Sequence, residues 1–186
     1  MMDVATREPR LERISKMILD YDLTMVNKWL EIGTEMMCFA DDLGWQNSLP
    51  VSPADWRQYI KPGYQNRLSL CRNAGALSFL HSDGHILEII DDLIECGLNI
   101  INPQFRANGL KNLAKFRGKI CIYLGMDRQL FPFATPSQLK NHFKESIDAL
   151  YQPEGGLMLH VEIAPDVPLS SVETICDFLE EFAGPA

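Results

Sequence analysis

The chain has 186 residues, enough for one domain with a substantial core. Hydrophobic residues make up 46% and charged residues 23%, the balance of an ordinary soluble protein. The formal net charge of -8, with no basic cluster, argues against nucleic acid or an anionic membrane as partner. No apolar run approaches the ~20 residues of a membrane span. The opening segment MMDVATREPRLERISK lacks the apolar core of a signal peptide. Five cysteines, at 38, 71, 96, 121 and 176, contain no C-x-x-C pair and mostly fall in apolar segments. They read as reduced core thiols of a cytosolic protein.

Residues 10–33 predict a helix, with Leu11, Ile14, Ile18, Met25, Val26, Trp29, Leu30 and Ile32 on a broad apolar face. Residues 36–40 form a short apolar strand. Ser52-Pro53-Ala54-Asp55 joins a serine cap, a first-turn proline and an acid three residues past the cap, opening a helix to residue 73. Strand 77–80 leads through the polar loop HSDGH into helix 84–96, which Gly97 ends. A strand at 98–101 and a short helix at 108–116 follow. Gly118 turns the chain into strand 119–124. Thr135-Pro136-Ser137-Gln138 repeats the capping pattern and opens helix 135–151. Strand 157–160 and a helix capped by Ser170 complete the chain. Apolar strands separated by helices imply a parallel sheet covered by helices. The pattern of five strand–helix units preceded by a helix fits an open doubly wound sheet or five-eighths of a (β/α)8 barrel. Residues 1–9 read as a tail and 10–186 as one domain.

Every strand runs into a polar segment, at the carboxyl edge where α/β proteins bind ligands. Asp41, Asp42, Trp45 and Gln46 follow the first strand, and His81, Asp83 and His85 the second. Gln104 and Arg106 follow the third, Asp127 and Arg128 the fourth, and His160 and Glu162 close the fifth. Asp41 and Asp42 form an acidic pair whose mutual repulsion would suit a general acid or base. Asp83 also stands where it would cap the next helix. His85 falls in the first helical turn and reads as a surface residue. His81-x-Asp83-x-His85 has metal-ligand residue types, but a strand-to-helix bend aims the three apart. Arg106 and Arg128 have the fork geometry for carboxylates, and Trp45 could stack on a flat ligand.

Four segments together resemble the uroporphyrinogen decarboxylase superfamily: DDLGWQNSLPVSPADWRQYIKP at 41–62, HSDGHILEIIDDLIECGLNIINPQ at 81–104, YLGMDRQLFPFATPSQL at 123–139 and IAPDVPLSSVETICDFLEEF at 163–182. The resemblance implies a (β/α)8 TIM barrel of which this chain holds the last five βα units. The methyltransferase branch carries His-x-Cys after the second of these strands and a cysteine after the last, binding zinc. Here His81 is kept, but Asp83 and Val161 stand at the cysteine positions. The resemblance therefore predicts at best weak zinc binding, through a harder set of His81, Asp83 and Glu162 or His160. The pattern is closest to uncharacterised decarboxylase-like relatives.

The resemblance thus implies lyase chemistry on a carboxylate or tetrapyrrole, with no cofactor required for decarboxylation. Asp41, Asp42, His81, Asp83 and Asp127 would be catalytic. Trp45, Gln46, Gln104, Arg106, Arg128 and His160 would bind substrate. The alternatives are a corrinoid-dependent methyltransferase and a non-catalytic subunit acting in assembly. Five parallel strands leave two open edges, so a dimer or a missing N-terminal barrel half is the expected partner.

Overall fold

A computed structural model of the chain describes residues 2–183. Short helix α1 (Met2–Ala5) lies within the expected tail and buries Val4. Then come α2 (Leu11–Glu31), β1 (Met36–Ala40), α3 (Pro53–Tyr59), α4 (Lys61–Asn73) and β2 (Leu77–Ser82). A 3-10 turn (Leu87–Ile89) leads into α5 (Ile90–Glu95), followed by β3 (Ile100–Pro103), α6 (Phe105–Asn108) and α7 (Leu110–Leu113). The chain ends with β4 (Cys121–Gly125), α8 (Pro136–Leu150), β5 (Leu157–His160) and α9 (Leu169–Ala183).

All pairings are parallel, in the order β1-β2-β3-β4-β5. That order separates the two architectures the sequence leaves open. A doubly wound sheet reverses its strand order at a switch point. A barrel adds each strand beside the last, with right-handed crossovers keeping the helices on one side. This is a partial barrel: among the described residues the sheet does not close, and β1 and β5 are its two edges.

Strand period two divides the side chains. Leu80, Ile101, Ile122 and Leu124 enter the core beneath the helices with Ile90, Leu93, Leu113 and Phe143. The other set lines the concave inner face: Met36, Cys38, Leu77, Phe79, His81, Ile100, Asn102, Tyr123, Met158 and His160, each half-buried or exposed.

Several local expectations are corrected. The 52–73 helix is two helices. Ser52 caps the first, accepting from the Asp55 N–H at 3.0 Å, and Pro62, which lacks an N–H, sits in the first turn of the second. Asp83 caps nothing. Extended chain and bends occupy 83–86, so the following helix starts later than expected. The 108–116 helix is short turns around Gly109 (φ +74). The third strand starts at Ile100, because Leu98 closes the helix before it and the Asn99 carboxamide accepts from Ser78 N–H at 2.9 Å. Ser170 lies inside the first turn of α9 and does not precede it. Thr135 forms the capping box as expected.

Helix α2 departs most. Of its apolar face only Val26 is buried, while Ile14, Ile18, Met25, Trp29 and Ile32 are exposed. The described sheet has no strand beyond β1 for that face to cover. The thiols split similarly: all are free, Cys71 and Cys96 are buried, Cys121 is half-buried, and Cys38 and Cys176 are exposed.

Candidate active site at the strand ends

The carboxyl ends of β2 to β5 surround a cavity of about 510 Å³. His81, at the end of β2, is held by Asn102 of β3: its Nδ1 lies 2.7 Å from Asn102 Oδ1. Asn102 Nδ2 donates to the Tyr123 carbonyl at 2.7 Å. His81 Nε2 lies 3.8 Å from Asp83 Oδ1, and Asp42 Oδ1 accepts from the Asp83 N–H at 3.4 Å. One donor atom from each of Asp42, His81 and Asp83 falls within 4.8 Å of the others. An imidazole nitrogen and two carboxylates at that spacing have the donor types of a divalent-cation site.

The loop that carries Asp83 is tightly held. Gly84 adopts φ +76 and abuts Gly44 so closely that a Cβ on either would strike the other loop's backbone. Asn108 Oδ1 accepts from Ile86 N–H at 2.9 Å, and its Nδ2 donates to Gly84 O at 2.9 Å. Gln104 Oε1 accepts from Gly84 N–H at 3.0 Å, so this expected substrate ligand is engaged in holding the loop as it lines the cavity. His85 is half-buried against the Ala107 carbonyl at 3.0 Å, not the surface residue expected.

The far wall consists of paired charges. Asp127 Oδ2 accepts from Arg106 Nε at 2.6 Å and lies 2.5 Å from its second nitrogen, while Oδ1 accepts from Gln129 N–H at 3.2 Å. Arg128 meets Glu162 at 2.6 Å. The Tyr123 hydroxyl lies 2.9 Å from His160 Nδ1, with the rings stacked at 5.2 Å. His142, absent from the sequence reading, accepts the Asp127 N–H through Nε2 at 3.1 Å. Burial pushes the His142 imidazole below its ordinary range, against the raising influence of Asp127 and Glu145.

Eight of the expected residues therefore line one cavity: His81, Asp83, Gln104, Arg106, Asp127, Arg128, His160 and Glu162. Asp42 joins them through Asp83. Asp41 does not. Successive residues of an extended chain point to opposite sides, and its carboxylate turns back to the Tyr64 hydroxyl at 2.5 Å, with Arg67 3.7 Å away. Burial, then the Asp41 charge, drives the Tyr64 phenol well above its ordinary range. Asp41 and Asp42 thus do not act as a pair. Trp45 is 61% exposed, and neither it nor Gln46 borders the cavity. Glu162, expected beside His81 and Asp83, is taken by Arg128, and Asp42 stands in its place. Asn102 and Tyr123 were missed, although counting inward-facing positions back from the strand ends reaches both.

No protein-family model and no curated protein matches the sequence. Among solved structures, a methyltransferase from Methanosarcina mazei matches with a TM-score of 0.63 at 21% identity, over 89% of this chain and 48% of its own. A dihydropteroate synthase from Anaplasma phagocytophilum, solved with bound 6-hydroxymethylpterin-monophosphate, gives 0.54 at 12% identity, over 90% of this chain and 68% of its own. The 3-keto-D-glucoside 4-epimerase of E. coli gives 0.53 at 14%, over 87% and 70%. These neighbours are TIM-barrel enzymes, and at such identities the likeness is one of fold. The chain spans about half the length of the methyltransferase it matches. No helix among the described residues is long and apolar enough to cross a membrane.

Proposed function

We propose that the chain carries the strand-end site of an enzyme in the uroporphyrinogen decarboxylase superfamily, and that this site serves methyl transfer through a divalent cation held by Asp42, His81 and Asp83. The observation that supports this reading is the aim of His81: its Nδ1 is occupied by Asn102, and its Nε2 faces the Asp83 carboxylate. One imidazole and two carboxylates suit zinc or manganese, and they replace the thiolates of the methyltransferase pattern with harder donors. A cation held there would supply Lewis acidity toward a substrate thiol or oxygen. Asp42 and Asp83 supply the negative charge that draws the cation in. The pinned imidazole supplies a ligand atom that needs no reorganisation. The paired charges on the opposite wall fix the shape of the substrate's seat.

The carboxy-lyase reading relies on Arg106 and Arg128 for substrate carboxylates. Each guanidinium already meets a carboxylate at 2.5–2.6 Å, so a tetrapyrrole acid would have to displace Asp127 or Glu162. That charge balance ranks methyl transfer first. Both readings need a small-molecule substrate and further strands to close the concave face. An open face admits water and screens the site, so the lone chain is not expected to convert uroporphyrinogen.

Calorimetry with zinc and with manganese, on wild type and His81→Ala, tests the proposal. Stoichiometric binding that is lost in His81→Ala supports it. Failure of both ions to bind overturns it, leaving the carboxy-lyase and assembly readings. Conversion of uroporphyrinogen by a chain shown to be monomeric restores the lyase.

A further inference from the structure

The amide of Asn102 has only one workable orientation. The Tyr123 carbonyl it touches accepts and never donates, so the group 2.7 Å from that oxygen must be the amide nitrogen. The amide oxygen therefore faces His81, 2.7 Å from Nδ1. An amide oxygen also only accepts, so the proton of this bond sits on Nδ1. We infer that Asn102 is a positioning residue that holds His81 as its Nδ1–H tautomer and so presents the bare Nε2 to Asp83 and Asp42.

A competing arrangement makes the assignment consequential. Asp83 lies on the other side of the ring and would itself accept a proton from Nε2. The single proton of a neutral imidazole must choose between the two acceptors. Asn102 stands at 2.7 Å and Asp83 Oδ1 at 3.8 Å, outside hydrogen-bond range, so the Asn102 side wins. The bonds also run head to tail, from the ring through the carboxamide to the Tyr123 carbonyl, so each polarises the next. Register supports the relay: Asn102 is the β3 partner of His81 across the parallel ladder, so backbone pairing sets the spacing of the two side chains. A ring partner of this kind is what fixes a histidine's free nitrogen when it must act as a ligand. The consequence for the site rests on the cation reading above. The tautomer itself does not.

The experiment is imidazole nitrogen NMR on ring-labelled protein without added metal, in buffer alkaline enough to keep imidazoles neutral. The His81 signal is assigned by its loss in His81→Ala. Wild type should show His81 protonated at Nδ1. Asn102→Leu, close in size but without an acceptor, should move the proton to Nε2. Asn102→Ala, which removes the carboxamide without adding bulk, should do the same. A second arm titrates manganese and zinc. Asn102→Leu and Asn102→Ala should each weaken binding about 10–100-fold. A wild-type proton on Nε2, or a tautomer unchanged in Asn102→Leu, overturns the inference. Should Asn102→Leu fail to fold, an Nδ1 proton retained in Asn102→Ala does the same. A correct tautomer with no ion binding leaves this inference standing and removes the cation reading instead.

Discussion

On the outer face of the sheet Leu80, Ile101, Ile122 and Leu124 are 0–2% exposed beneath the helices. On the inner face Met36, Leu77 and Met158, from the same strands or their neighbours, are 41–49% exposed. Both sets are apolar and both lie on regular parallel strands, so neither composition nor backbone geometry separates them. The difference is what lies opposite. Helices pack over these outer residues, with α2 joining through Val26 against Met37 of β1, whereas the inner layers of a barrel are filled only when strands face one another across its axis. The energy of the fold is therefore concentrated on one side of the sheet. The candidate chemistry sits at the rim of the other.

The largest test of that contrast is in the core. Phe143→Ala removes a fully buried ring packed between Phe131 and Phe178, and should cost about 3–5 kcal/mol in urea denaturation. A loss below about 1 kcal/mol would mean that α8 is not anchored as described.

Next is the ion cluster on the outer helices. Asp92, 6% exposed, accepts from Arg57 Nε at 2.9 Å and Lys61 Nζ at 2.7 Å. Burial alone would raise its carboxyl. The hydrogen bonds from Arg57 and Lys61 outweigh that and hold it below the ordinary 3.8. A carboxyl lowered by folding contributes stability that is present above the ordinary value and lost as pH falls through the folded one. Asp92→Asn should cost about 1–2 kcal/mol at neutral pH, since it removes the charge shared by Arg57 and Lys61 while Lys61 keeps Glu95 at 2.6 Å. The gap to wild type should narrow on acidification below pH ~4. A pH-independent gap would rule the pair out as the cause.

His142 tests the site wall. Its imidazole is lowered by burial and bonds the Asp127 N–H through an unprotonated Nε2. The lowered value means the folded state prefers the neutral ring. This contribution is complete above the ordinary 6.5 and lost as pH falls through the lower folded value. Melting temperatures should fall across that window in wild type. His142→Gln, which keeps an acceptor, should flatten the slope. An unchanged slope in the variant would assign the acid sensitivity elsewhere.

The smallest effects belong to the open surfaces. Met158→Ala on the inner face and Ile18→Ser on α2 should each change the chain's own stability by less than about 0.5–1 kcal/mol, because little area returns to water. A cost comparable to Phe143→Ala in either would show that these surfaces are covered in solution, for example by a second copy.

The sequence by itself determined the element order, the parallel alternation and the edge where polar residues gather. Those follow from local signals: apolar periodicity, the Ser52 and Thr135 caps, and Gly97 and Gly118 at turns. It also named eight of the residues that line the cavity, because a strand's end places the next polar residues at the rim. It could not separate Asp41 from Asp42. One step along an extended chain reverses the direction of a side chain, and only the pairing of β1 with β2 decides which carboxylate meets Asp83 and which turns back to Tyr64. His142 was invisible for a related reason. It lies 15 positions from Asp127, mid-helix with no local motif, and reaches the loop only once α8 docks. The barrel order was likewise a tertiary outcome: strand propensity is blind to which neighbour a strand chooses, and the β1-β2-β3-β4-β5 sequence is written in the crossovers between them.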